Sequence, residues 1–349
     1  MLKAFLRFLG AVDGEDRQMW FLLGIGAFMG FFLASYQVGT ESLFIQTLGE
    51  KYLAESFFVT GALGVLSSVT YVYLQKKIRF SRLVIGNAAV ITLFVCCLRL
   101  AFEFVEVGDK ESGFSLLPFL LFVMMGPMTS ILLLGFWGLF GRIFDTRQTK
   151  RLIGSVDTGQ LIATIIAFFS IPLLIELPFI DDTYDLLFVS AISMIVILLM
   201  TILICKNWNV DLIDSLKNDQ KVEDTGYLGI FKNNYTRLLS VFMICSMGAA
   251  IFVEYSFLAT IEIYHPEEDK LNRFLSFFNG TVIIMSFIIQ TFINDIILNR
   301  FGLKVALMTM PIILIIFMIG GLISGHFFGY ELLNEDFLFF FMFIISGKA

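Results

Sequence analysis

Long apolar runs separated by short charged segments dominate the pattern of this chain. An apolar run of about 20 residues is long enough to cross a bilayer as an α-helix. Nine runs approach or exceed this length: 19–39, 56–75, 83–103, 114–141, 154–175, 186–205, 237–260, 274–297 and 303–324. A tenth run, 337–346, is too short to span. We therefore predict nine complete transmembrane helices and the start of a tenth.

Positive charge is concentrated in every second connection between these runs. The basic connections are the N-terminus, 76–82, 142–151, 206–237 and 298–304, and the intervening ones carry Glu and Asp. Because cytoplasmic loops retain Lys and Arg, this alternation predicts a cytoplasmic N-terminus. The net charge of −6 arises from the acidic connections and gives no indication of a nucleic-acid partner.

The composition agrees with a membrane location. Hydrophobic residues make up 58% of the 349 residues, 41 of them are Phe, and the mean hydropathy is +0.85. A soluble core of this size could not bury so much apolar surface. We predict an all-α, polytopic transmembrane helical bundle, with the lipid bilayer as its first partner.

A long polar segment, 206–236, divides six predicted helices from the rest. Six helices, a central cytoplasmic loop and a second set of helices are typical of a major-facilitator-type transporter. The predicted organisation is an N-terminal half over 1–205, the central loop, and an incomplete C-terminal half over 237–349. The loop could lie on the inner membrane surface as an amphipathic helix or dock a protein partner, and the sequence favours neither.

Two basic turns stand at corresponding points of the two halves. They read "QKKIRFSRLVIG" after the second run and "NDIILNRFGLKVAL" after the eighth. In a major-facilitator bundle, such turns pair with carboxylates and helix ends to latch the cytoplasmic side. The candidate latch residues are Lys77, Arg79, Asp295, Arg300 and Lys304, with Asp295 facing Arg300. The alternative is that these cations only anchor the loops on the cytoplasmic side.

Three stretches resemble the ATP/ADP translocase family, the nucleotide transporters of plastids and intracellular bacteria. "FKNNYTRLLSVFMICSMGAAIFVEYSFLATI" (231–261) looks like the seventh-helix region of that family, including its Val-Glu pair at Val253 and Glu254. "FWGLFGRIFDTRQTKRLIGSVDTGQLIATI" (136–165) is similar to its Phe-Trp-Gly, basic loop and Gly-rich helix start. The terminal "ISGKA" resembles the opening of a longer family motif, which predicts that the chain is truncated at its C-terminus.

The resemblance implies a major-facilitator-like fold, a bacterial inner (plasma) membrane and exchange of nucleotides, but important family residues are missing. The family closes its first helix with a basic and acidic run, whereas "YQVGTESLFI" (36–45) retains only Glu41. The family also has a Glu in its fourth helix, whereas 112–141 contains no charge. The substrate is therefore not inherited with the resemblance.

An exchanger of nucleotides needs cationic groups that face its cavity. Within the predicted helices the candidate is Arg99, and Lys348, just after the tenth run, is the other candidate. Arg99 precedes Glu103 by one helical turn, which favours a local ion pair and a side chain that reaches the membrane surface over a substrate contact. Lys348 would face the cavity if the tenth helix continues past Ala349.

Glu254 is the strongest candidate for a functional residue. It is the only formal charge between Arg237 and Glu262, and it lies about 25 Å along the helix from Arg237. Glu41 lies at a comparable depth in the first helix, so the two carboxyl groups are expected to face each other across a central cleft. A carboxyl group there could carry a proton through the transport cycle, or it could be a static member of a helix interface.

Small and polar residues within the runs indicate helix packing. "GIGAFMG" (24–30) and "GALG" (61–64) have the spacing that lets helices approach closely in lipid. Asn279 should face the bundle, where it could line a cavity or make an interhelical hydrogen bond. The four cysteines lie in or at apolar segments, which predicts buried hydrophobic side chains and neither a disulfide framework nor a metal site.

Motifs of enzymatic chemistry are missing from the sequence. It contains neither a phosphate-binding Gly-x-x-x-x-Gly-Lys-Ser/Thr loop nor a His-Glu-x-x-His zinc motif. We therefore expect no enzymatic activity and no cofactor. Two hypotheses remain. One is a secondary transporter of a nucleotide-like or other polar metabolite, and the other is a transport-inactive anchor, sensor or scaffold whose missing C-terminal region binds a partner.

Overall fold

The structure is a computed structural model, and it describes residues 15–105, 114–176, 182–208, 234–264 and 268–328, together with Val12 and Val210. Within these ranges the chain is helical and forms no strand. The absence of strands follows from the hydropathy, because an α-helix is the only structure in which an isolated apolar run satisfies its own backbone hydrogen bonds in lipid.

Nine long helices make up the described chain. They are α1 (Asp16–Thr47), α2 (Leu53–Lys77), α3 (Phe80–Phe104), α4 (Leu116–Ile143), α5 (Thr146–Ile175), α6 (Leu186–Asn207), α7 (Asn234–Tyr264), α8 (Glu268–Ile288) and α9 (Asn294–Phe328). Short 3₁₀ segments, Glu50–Tyr52 and Thr183–Asp185, precede α2 and α6, and a π-helical segment, Ile289–Ile293, joins α8 to α9.

The predicted fold class is confirmed. Eight helical stretches, from α1 through α8, are long and apolar enough to cross a membrane, and within α9 the shorter stretch Pro311–Gly320 is apolar. The protein is therefore a multi-pass membrane protein. The eighth and ninth runs are separated by a single non-helical residue, Gly302, and not by a longer loop. Its φ of 78° lies in the left-handed region, which glycine adopts without steric strain.

The chain forms two compact units. The first comprises Met1–Asp219 with Pro266–Ile283, and the second comprises Gln220–His265 with Ile284–Ala349. The first unit therefore contains the six helices of the predicted N-terminal half together with most of α8. The division into a six-helix N-terminal half and an incomplete C-terminal half stays a prediction, and most of the loop 206–236 falls outside the described residues.

Helix α1 is the centre of the first unit. It packs most extensively against α5 and α6 and also contacts α4, while α2 packs on α4 and α3 packs on α6 and α4. One side of α1 contributes fully buried apolar side chains to the core, among them Met19, Leu22, Met29 and Phe32. By contrast, α2 directs Phe58 and Val65 outward, with exposed fractions of 79% and 66%. Apolar side chains on such a face are solvated by lipid.

Glycine permits the close contact between α1 and α5. A Cβ atom placed on Gly30 would lie 2.8 Å from the backbone nitrogen of Thr164. The neighbouring contact is also tight, since a Cβ on Gly159 of α5 would lie 2.6 Å from the side chain of Leu23. The prediction of close packing at 24–30 is therefore confirmed, whereas a Cβ on Gly61 or Gly64 meets no atom within 4 Å in the described part of the chain.

Replacing Gly30 with alanine is expected to destabilise the protein by about 1–3 kcal/mol, because the added methyl group overpacks the α1–α5 contact against a backbone atom. Gly61→Ala is the matched control, because it makes the same change in a helix with open space around the new methyl group. The thermal midpoints of both variants in detergent test this. Equal midpoints for the two variants would contradict the packing argument.

The cysteine prediction is only partly right. Cys96 and Cys205 are half-buried, but Cys97 and Cys245 are exposed on their helices. Within the part of the chain that the structure describes, none of the four forms a disulfide bond. A cysteine is small and weakly polar, so an outward position in an apolar helix has little cost.

Candidate functional site

The C-terminal part of α1 carries a run of buried polar side chains. Ser35, Thr40, Glu41 and Ser42 are each at most 1% exposed, although they lie in a helix that is otherwise apolar. Polar groups in a membrane helix are expected to face the protein interior, where they find partners. We call Ser35, Tyr36, Gln37 and Glu41, with their partners Ser190 and Asn279, the Glu41 cluster.

Glu41 is at the centre of this cluster and is completely buried. One carboxyl oxygen, Oε1, accepts a hydrogen bond of 2.7 Å from Nε2 of Gln37, one helical turn earlier. The other, Oε2, accepts a longer bond of 3.4 Å from Nδ2 of Asn279 in α8. Both oxygens therefore have an amide donor, and one of these donors comes from the eighth helix.

Two further bonds hold α1 against its neighbours near Glu41. The hydroxyl groups of Ser35 and Ser190 lie 2.7 Å apart and join α1 to α6. The hydroxyl of Tyr36 donates to the carbonyl oxygen of Leu121 in α4 at 2.8 Å. These bonds fix the rotation of α1 and thereby keep Glu41 directed into the bundle.

Helix α8 carries a buried polar stripe within the first unit. Asn272, Ser276 and Asn279 follow one another at helical spacing and are at most 4% exposed. Nδ2 of Asn272 donates to Oγ1 of Thr183 at 2.6 Å, close to the start of α6. On another side of the helix, Gly280 lies against Phe168 and Phe169 of α5.

Sequence reasoning identified Asn279 but missed Asn272 and Ser276. The signal was present, because the spacing of four and then three residues places all three on one face of a helix. The alternative left open for Asn279 is now resolved in favour of an interhelical hydrogen bond.

The chemistry available to the Glu41 cluster is proton or cation binding. A carboxyl group can accept a proton within a membrane bundle, and amide groups of Gln37 and Asn279 donate to its two oxygens. Among the described residues there is no cluster of three or more His, Cys, Asp or Glu side chains suited to a metal.

A buried ion pair near the Glu41 cluster involves Arg99. Its Nη2 lies 2.7 Å from Oδ1 of Asp185 and 2.9 Å from Oε1 of Glu103. The side chains of Arg99 and Asp185 are 6% and 9% exposed, whereas that of Glu103 is 53% exposed. The guanidinium also lies 3.9 Å from the centre of the Phe188 ring.

This geometry confirms the expected local pair of Arg99 with Glu103 and corrects the expectation about where the side chain points. Arg99 does not extend to the surface; it is buried in the interface between α3 and the start of α6. Asp185 was missed, because its pairing depends on residues distant in sequence. Arg99 is accordingly committed to carboxylates within the protein.

Glu254 lies in the second unit, within α7, and is half-buried. The residues after it, including Phe257, Leu258 and Ile261, are almost completely buried. Glu41 belongs to the first unit, so the expected apposition of the two carboxyl groups stays a prediction.

The candidate latch residues are mostly at the protein surface. Lys77 is exposed and contacts Tyr73, whose hydroxyl accepts a hydrogen bond from the ammonium group. Arg79 is exposed immediately before α3, and Arg300 is exposed in α9. The side chains of Asp295 and Lys304 and all of Lys348 lie outside the described residues, so the pairing of Asp295 with Arg300 stays a prediction.

A different ion pair joins the N-termini of α1 and α5. Arg151 donates to both carboxyl oxygens of Glu15, at 2.6 Å to Oε1, and Nε2 of Gln148 donates to Oε1 at 2.7 Å. Gln148 in turn accepts from the backbone N–H of Asp145, which caps α5. The pair ties the starts of α1 and α5 together.

Lowering the pH is expected to weaken this connection. Burial by itself raises the pKa of Glu15, but the bonds from Val12 N–H, Arg151 and Gln148 outweigh it and hold the pKa below the ordinary value of 4.5. A lowered pKa means that the folded state binds this proton less tightly than the unfolded state. The stabilisation is therefore complete above about pH 4.5 and lost as the pH falls through the lowered pKa.

Glu15→Gln should accordingly lower the free energy of unfolding at pH 7 by about 1–2 kcal/mol, and the thermal midpoint with it. The difference from wild type should shrink at acidic pH. Glu176→Gln is the control, because Glu176 forms a mostly exposed pair with Arg273 at 3.1 Å. Thermal midpoints measured between pH 7 and acid provide the test. A constant difference across that range would rule out the assigned role of Glu15.

Comparisons of the chain with protein-family models, with curated proteins and with solved structures found no match. The resemblance to ATP/ADP translocases therefore stays a prediction from short motifs.

Proposed function

We propose that the protein is a secondary transporter of the major-facilitator type that moves a polar metabolite across the membrane by alternating access. Nucleotides are the first candidates, because the stretches at 136–165 and 231–261 resemble nucleotide exchangers. The observation that carries the proposal is the fully buried Glu41 and its hydrogen bond to Asn279.

This bond supports the proposal for two reasons. A buried ionisable side chain in a membrane helix is costly, and such residues generally mark the pathways of ions and substrates. In transporters built from repeats, these sites lie where the two repeats meet. Glu41 belongs to the predicted N-terminal half and Asn279 to the predicted C-terminal half, so the bond joins the two.

Within this proposal, Glu41 and Glu254 are the coupling residues and Asn279 is the positioning residue for Glu41. Protonation of Glu41 removes the charge that its two amide donors solvate, so the α1–α8 contact would weaken or rearrange. A change of contact between α1 and α8 that depends on a proton is the kind of step that couples transport to a pH gradient.

The second candidate is a transport-inactive membrane anchor or sensor, and the Arg99 ion pair favours it. A substrate with several phosphate charges requires cations that face the cavity. Arg99 is paired with Asp185 and Glu103 and stacked near Phe188, so this cation serves the packing of α3 on α6.

Reconstitution into proteoliposomes separates the candidates. Labelled ATP and ADP are added outside vesicles preloaded with unlabelled nucleotide, with and without a pH gradient. The nucleotide proposal predicts exchange, together with a rise in thermal midpoint when nucleotide is added to the detergent-solubilised protein. Failure of both measurements would reject a nucleotide substrate. If the vesicles instead take up another polar metabolite, and this uptake depends on the pH gradient, the transporter hypothesis stands with a different substrate.

A further inference from the structure

A groove lies between α2 and α4 at the end of the bundle where the basic connections 76–82 and 142–151 begin. Its volume is about 480 Å³, within the range of small-molecule sites of about 300–1,000 Å³. Tyr71 and Gln75 line it from α2, and Ser130, Leu133, Trp137 and Arg142 are among the residues that line it from α4. The groove belongs entirely to the first unit.

The lining changes in character along the groove. Arg142 and Gln75 lie near the C-terminal ends of their helices, next to the basic connections. Ser130 and Leu133 lie farther back along α4, with Ser130 about 18 Å from Arg142 at 1.5 Å per residue. Tyr71 and Trp137 lie between these ends. In membrane proteins, Tyr and Trp are enriched at the level of the lipid headgroups.

The cationic end is structurally fixed. The guanidinium carbon of Arg142 lies 3.5 Å from the centre of the Phe80 ring, and Nη1 donates to the carbonyl oxygen of Gly138 at 3.2 Å. Phe80 can occupy this position because Gly138 has no side chain; a Cβ there would lie 2.6 Å from the ring. The planar guanidinium is thereby held at the mouth of the groove, in a geometry suited to one phosphate group.

We propose that this groove binds an anionic phospholipid, with the headgroup phosphate at Arg142 and an acyl chain along Leu133 towards Ser130. The charge of the lining decides the occupant. A nucleoside diphosphate or triphosphate needs several cationic groups, whereas this lining contains one cation and is otherwise mostly apolar. One phosphate attached to a long apolar chain matches one arginine followed by an apolar wall.

The surroundings favour an anionic over a zwitterionic lipid. The exposed side chains of Lys77, Arg82 and Arg147 lie in or beside the two basic connections at the same end. If the N-terminus is cytoplasmic, as the charge alternation predicts, this end contacts the leaflet that carries negative surface charge. The inference does not rest on the transport proposal.

Native mass spectrometry of protein released from nanodiscs of phosphatidylglycerol and phosphatidylcholine provides the test. Wild-type protein should retain phosphatidylglycerol in preference to phosphatidylcholine, and Arg142→Gln should reduce that preference about fivefold. Arg82→Gln is the matched control, because it removes an exposed cation at the same end that does not line the groove, and it should have little effect. Equal loss in both variants, or retention of both lipids by wild type, would overturn the proposal.

Two further arms identify the ligand. Glycerol phosphate and ADP, added as soluble competitors, should not displace the retained lipid; displacement by either would assign the groove to a free phosphate or a nucleotide instead. In wild-type protein, phosphatidylglycerol with brominated chains should quench tryptophan fluorescence more than brominated phosphatidylcholine does. Trp137→Phe should remove the excess quenching, because Trp137 lines the groove. Persistence of the excess in that variant would count against this site.

Discussion

Replacing Asp185 with asparagine is expected to destabilise the protein by about 3–5 kcal/mol. The substitution preserves the shape of the side chain, removes its charge and replaces one of its two acceptor oxygens with an amide group that donates. Arg99 would then remain buried with the half-exposed Glu103 in place of its buried counter-ion, and the cost of a poorly compensated buried charge is the largest single effect that the described contacts predict. Thermal or denaturant unfolding in detergent measures it.

Glu103→Gln is the matched control for this prediction. Glu103 contacts the same Nη2 atom of Arg99 at a similar distance, but its side chain is half exposed. Exposed pairs contribute about 0–1 kcal/mol, because water solvates the separated charges nearly as well. If Glu103→Gln destabilises the protein as much as Asp185→Asn does, burial does not determine how much each ion pair contributes to stability.

Under the proposed transport function, replacing Glu41 with glutamine is expected to abolish the dependence of uptake on a pH gradient. Glutamine is nearly isosteric and keeps an oxygen that can accept the bond from Asn279, so the bundle should fold, but the side chain cannot release a proton. Initial uptake into proteoliposomes, measured across a series of external pH values, tests the prediction. The same result is expected for Glu254→Gln if both carboxyl groups couple protons to transport.

Two comparisons make this result specific. Asn279→Ala should shift the pH profile of uptake without abolishing it, because it removes one of the two amide donors and leaves the carboxyl group. Glu103→Gln removes an exposed carboxyl group near the end of α3 and should leave the profile unchanged. Unaltered pH dependence in Glu41→Gln would reject the coupling role.

The helices were predictable from the sequence for a physical reason. The bilayer imposes a length and a composition on each spanning segment, and both can be read from a linear chain. Every one of the nine predicted runs therefore corresponds to an observed helix, with ends displaced by up to nine residues. The alternation of charge in the loops is equally linear, and the orientation inferred from it stays a prediction.

The partners of polar residues were predictable only where they are local. The pair of Arg99 with Glu103 follows from a spacing of one helical turn. The bonds of Arg99 to Asp185, of Glu41 to Asn279 and of Glu15 to Arg151 join helices that are distant in sequence. They depend on which helix faces become neighbours, and apolar segments of similar composition leave that choice open.

The sequence by itself therefore determined that this is an all-α, multi-pass membrane protein, and it identified Glu41, Asn279 and Arg99 as residues of interest. Only the tertiary structure decided that Glu41 and Asn279 meet and that Arg99 is committed to Asp185. It also showed that Gly30 allows α1 to contact α5, whereas Gly61 has no such neighbour. The physical reason is that hydropathy depends on one segment at a time, whereas packing and hydrogen bonding depend on pairs of surfaces.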